Sequence, residues 1–130
     1  MPVRTESLPH ASNRSMRVRV HTPIGVAVVR WHGDPQEADG HHLVEWTVDE
    51  DIHWGLNTHA VFSAEPELRQ EDHRVIMRGI LHLDEAGPWL QLGDWPVLLD
   101  MASPVHTDMD GSWVEISVEA DHVGLYPYRI

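Results

Sequence analysis

In one short segment after another of this chain, apolar residues occupy every second position. Met16, Val18 and Val20 alternate with Arg17, Arg19 and His21. Trp46, Val48, Ile52 and Trp54 share one parity, interrupted by Glu50, while Glu45, Thr47, Asp49, Asp51 and His53 share the other. Val114, Ile116 and Val118 alternate with Trp113, Glu115, Ser117 and Glu119. Successive side chains of a strand point to opposite faces, so each segment reads as a strand with one dry face and one wet face. Residues 24–31 are apolar on both faces, Ile24, Val26 and Val28 on one and Ala27, Val29 and Trp31 on the other, the pattern of a central strand.

Turn chemistry separates further strands. Asp84-Glu85-Ala86-Gly87 has the form of a type I turn between residues 74–83 and 89–92. Gly93-Asp94 is a two-residue hairpin signal leading into residues 96–100. Gly55-Leu56-Asn57 turns into a short strand at residues 59–63, and residues 33–40 and 101–111 are loops. Residues 123–128 form the last strand, with Pro127 marking an edge or an end. Residues 65–72 (EPELRQED) are the one candidate helix, two turns at most. The expected fold is all-β, a small barrel or a sandwich of about eight short antiparallel strands with at most one short helix. An OB-like barrel is one option, prompted by the strand, glycine and hairpin of residues 75–97. Residues 1–15 are polar, contain two prolines and have no period. They are expected to be a flexible tail preceding a single domain at 16–130.

Charge narrows the function. Twenty of the 21 acids follow residue 30, where they face only four arginines, a balance of −16; residues 1–30 hold five arginines and Glu6, +4. A surface this negative repels phosphate backbones and attracts basic partners. With 42% hydrophobic residues and six tryptophans the chain can bury a core, unlike a disordered acidic tail. Without cysteine there are no disulfides, thiolate metal sites or thiol nucleophiles. All nine basic residues are arginine, which removes Schiff-base chemistry and any P-loop lysine and points to a GC-rich bacterial genome. No apolar run approaches the roughly 20 residues that cross a bilayer, and no apolar segment follows the first arginines as in a secretory signal. A cytoplasmic location is expected.

Eleven histidines invite a metal reading. His41 and His42 precede Glu45, and Asp49, Asp51 and His53 share a strand face, so these six residues form the candidate set for a bound ion or for acid/base work. Adjacent histidines on a strand point to opposite faces, however, and neither His-x-His nor HExxH occurs. There is no G-x-S-x-G elbow and no glycine-rich phosphate loop. The expected function is therefore non-enzymatic, without a cofactor: binding of a basic protein partner, as an immunity protein or inhibitor does. The binding residues would be Glu45, Asp49 and Asp51, with Trp95 and Trp113 as aromatic anchors. The alternative is a small-molecule or metal-assisted site in a β-barrel built from the His and carboxylate set. A third reading, single-stranded nucleic-acid binding, needs the arginines of residues 14–30 to form a local positive patch. The oligomeric state is not legible.

Overall fold

The computed structural model describes residues 2–9 and 16–129. Within them the chain forms thirteen strands, three single-turn 3-10 helices and no α-helix. The strands are β1 (Pro2–Ser7), β2 (Arg17–Thr22), β3 (Gly25–Trp31), β4 (Gly40–Val48), β5 (Asp51–Ile52), β6 (Thr58–Ala60) and β7 (Glu67–Glu71). They continue as β8 (Arg74–Asp84), β9 (Gly87–Leu92), β10 (Trp95–Leu98), β11 (Asp100–Met101), β12 (Trp113–Glu119) and β13 (Val123–Tyr128).

The protein is all-β and its pairings close in a barrel-like manner. β1 is antiparallel to β2 and to β4, β2 to β3, and β4 to β13. β13 then runs parallel to β3 at Gly124–Arg30 and Leu125–Trp31, which completes a ring of five strands. Alternation supplies its interior: Val3, Val18, Val20, Ala27, Val29, Trp31, Trp46 and Leu125 are all buried. A second ring shares β3, β13 and β4. It passes through β10, β9, β8 and β7 and returns to β3, with β12 and then β6 on the outer side of β8. Leu68, Met77, Leu81, Leu90, Leu92 and Ile116 fill its side of one continuous core.

The sheet is mixed, and its parallel pairs are short seams. β10 meets β4 only at Val97–Trp46, and β7 meets β3 only at Gly25–Leu68. At the latter a Cβ on Gly25 would lie 1.6 Å from the Leu68 carbonyl oxygen, and φ is +147°. Glycine is required there by close approach and by backbone conformation alike.

Four expectations are corrected. Residues 2–7 are not a tail but strand β1, with Val3 and Thr5 buried and Thr5 Oγ1 donating to the Ala38 carbonyl at 2.7 Å. The alternation there is only two inward residues long, too short to stand out, and the stabilising partner β4 is more than thirty residues away. Residues 10–15 of the expected tail lie outside the described residues. Residues 65–72 are not a helix: β7 pairs with β8 through a turn at Asp72, with Leu68 its one inward residue and Glu67, Arg69 and Glu71 along the outer side. One apolar residue gives a helix nothing to bury, whereas it suffices for a five-residue strand. The strands number thirteen rather than about eight, because β1 and β7 fall where a tail and a helix were expected and β5 and β11 are two-residue pieces below the length at which period shows. Residues 75–97 form the meander β8–β9–β10, and the five-strand ring lies elsewhere.

Elsewhere the faces fall as expected. Val114, Ile116 and Val118 are fully buried, while Trp113, Glu115, Ser117 and Glu119 are half-buried on the outer face. β3 is central, but Val26 on its second face is open to solvent. Among the described residues no helix is long and apolar enough to cross a membrane.

Candidate functional site

Period-two alternation along β4 turns Val44, Trp46 and Val48 inward and Glu45 outward, and Asp49 and Asp51 follow as exposed residues. Glu50, which interrupts the pattern, turns the other way. Its carboxylate accepts from the Glu119 backbone N–H at 3.0 Å and from Asn57 Nδ2 at 3.2 Å, and lies 2.7 Å from His122 Nδ1. Burial alone would raise its pKa; these hydrogen bonds outweigh it and hold the carboxyl below the usual range. Glu50 thus anchors the segment that carries the acidic row.

Beside this segment, and parallel to it, run β10 and β11. Val97 pairs with Trp46, and further along Asp100 pairs with Asp51, both exposed. Asp94 is exposed in the turn that starts β10. The fold therefore adds Asp94 and Asp100 to the three acids that alternation identifies. Two carboxylates paired side by side, as Asp51 and Asp100 are, repel one another.

Cations within the described residues do not relieve them. All four arginines after Trp31 are engaged elsewhere. Arg69 and Arg78 both reach Glu115 at 3.1 Å, Arg74 reaches Glu119 at 3.1 Å, and Arg129 reaches Glu37 at 2.6 Å. Burial pushes the Glu115 carboxyl up, but the two guanidiniums more than compensate and keep it below its ordinary value. No ion pair among the described residues involves Glu45, Asp49, Asp51, Asp94 or Asp100.

Glu45 and Asp94 line a groove of about 480 Å³, together with Trp46, Trp95, Leu98 and Tyr128 among others. Trp95 is not a protruding anchor. It is 5% exposed and stacks on Trp46 with ring centroids 5.5 Å apart, and its buried indole N–H has no partner among the described residues. Nor does Trp113 join the face: β8 and β9 separate its strand from β10. The exposed apolar groups are instead Leu98 (65%), Tyr128 (48%) and Tyr126 (45%). Sequence reasoning missed all three. The available signal was a run of apolar residues, 97–99 and 125–128, longer than one buried face can absorb.

The His and carboxylate set does not converge. His41 and His53 are exposed, and His42 packs its ring against Trp31, centroids 5.0 Å apart. Among the described residues no three His, Asp or Glu side chains are grouped as a metal ion would need. A different polar pocket, about 250 Å³, brings Asp49 together with Arg30, His32, Asp121, His122 and Tyr126. His32 stacks on Tyr126 at 4.3 Å and lies over Gly124, where a Cβ would come within 2.5 Å of its Nε2. Burial, then the nearby Arg30 charge, lowers the His32 pKa. Asp121 is 2.7 Å from Arg17.

The chain matches no protein-family model, and comparison with curated proteins and with solved structures returns no match.

Proposed function

We propose that this is a non-enzymatic acidic interaction protein that caps a basic protein partner with the outer face of β10, β4 and β13. The observation that carries the reading is the set of exposed acids Glu45, Asp49, Asp51, Asp94 and Asp100, in no ion pair among the described residues, on two neighbouring parallel segments next to exposed Leu98 and Tyr128. A cationic partner relieves the Asp51–Asp100 repulsion. Apolar groups ringed by charge have the make-up of an interface with a dry centre and a polar rim. Size and charge suit an immunity- or inhibitor-type protein in the cytoplasm, and complementary charge would act mainly on the rate of encounter.

The test is a partner captured from the native host at low salt. Its association with the E45Q/D49N/D51N variant should be slowed about tenfold, with a shallower salt dependence. Capture of no basic protein, or an unchanged association rate at low salt, refutes the reading.

The polar pocket around His32 favours one second reading, a small-molecule site, in which a neutral His32 imidazole accepts a proton or a hydrogen bond. The nucleic-acid reading draws on Arg17 and Arg30, which are register neighbours on β2 and β3, but Asp121 sits against both. Binding of single-stranded DNA or RNA at physiological salt should be undetectable; salt-sensitive binding at about micromolar Kd or tighter would promote that reading over the first.

A further inference from the structure

From the groove between β4 and β10 we infer that the basic partner is recognised through one arginine side chain, inserted between Glu45 and Asp94. This deepens the acidic-face reading and rests on it. Two features of the groove select the occupant. Its two carboxylates, Glu45 from β4 and Asp94 from the turn before β10, stand on adjacent elements and have no cationic partner among the described residues. Its remaining lining is aromatic and aliphatic: half-exposed Tyr128 and exposed Leu98 present the accessible surface, beside the buried Trp46–Trp95 stack.

A site that is acidic and largely apolar discriminates between cations. An ammonium group is compact and strongly hydrated, so stripping its water in such a groove is costly. A guanidinium is weakly hydrated, lies flat against aromatic rings and offers a fork of N–H donors to carboxylates. Its three-methylene stem suits the aliphatic wall formed by Leu98. The groove, about 480 Å³ and open along one side, has room for a single long side chain. Asp51 and Asp100 lie outside the groove lining, where they serve a partner's other charges.

The test uses the full chain and two blocked peptides of glycine and lysine that differ only at the central residue, Arg in one and Lys in the other. Tryptophan fluorescence at low ionic strength reports binding. The Arg peptide should bind about fivefold more tightly. That preference should vanish in E45Q/D94N and persist in D51N/D100N, which lowers both affinities equally. Equal affinities for the two peptides in the wild type, or a preference that survives E45Q/D94N, overturns the inference. Salt-dependent binding of both peptides without discrimination removes the arginine site but leaves the acidic face in place, whereas binding of neither removes both.

Discussion

Closure of the five-strand ring by β1 can be tested at two side chains that the sequence alone would assign to a flexible tail. Val3 is 2% exposed and sits between β2 and β4; Thr5, equally buried, donates to the Ala38 carbonyl. Val3→Ala removes two methyl groups from a fully packed site. At about 0.8 kcal/mol per buried carbon plus a small cavity term, the loss is about 2 kcal/mol. For a protein of this size that lowers Tm by roughly 6–10 °C. Thr5→Val keeps the shape but leaves the Ala38 carbonyl buried without a donor, a cost of about 1–3 kcal/mol. The two residues are neighbours on one face, so the double variant need not show the sum. Urea denaturation followed by tryptophan fluorescence measures each loss, with an unchanged m-value showing that the unfolding unit is the same. If both variants stay within about 0.5 kcal/mol of the wild type, as for substitutions in an undocked segment, β1 does not close the ring in solution.

Two further predictions concern the core and the anchor of the acidic segment. Ile116→Ala, at a fully buried position on β12, should cost about 2–4 kcal/mol, and Trp113→Ala, half-buried on the outer side of the same strand, should cost less; equal large losses in chemical denaturation would undo the face assignment. Glu50 has a folded pKa below its ordinary 4.5, so its contribution is complete above that value and is lost as pH falls through the lowered one. Stability measured from pH 6 down to about 3 should therefore decline less steeply in E50Q than in the wild type, and parallel curves would show that the Glu50 carboxylate is not the group responsible.

What was legible in the sequence was whatever a strand encodes in its own residues. Alternation located β2, β12 and the second half of β4 and told inside from outside along them. It placed Val114, Ile116 and Val118 in the core and Glu45, Asp49 and Asp51 in solvent. The turn residues at Asp84–Gly87 and Gly93-Asp94 marked where β8, β9 and β10 reverse. Glu50 showed the same logic from the other side: a charged residue at an inward position was visible as a break in period, though its partners Glu119, His122 and Asn57 were not.

Which strands become neighbours was decided only by the tertiary structure. β1 joins β4, β10 runs beside β4, and Asp100 comes to face Asp51, each across a long stretch of chain and through a ladder of backbone groups that are the same in every residue. Trp95 looked like an anchor beside its hairpin and is buried with Trp46 stacked against it, whereas Leu98 and Tyr128, which the sequence did not single out, are exposed. A strand's residues state that one face must be covered, but not by what. The covering surface comes from other segments, so the partners of each face, and with them the composition of the candidate site, are properties of the closed sheet as a whole.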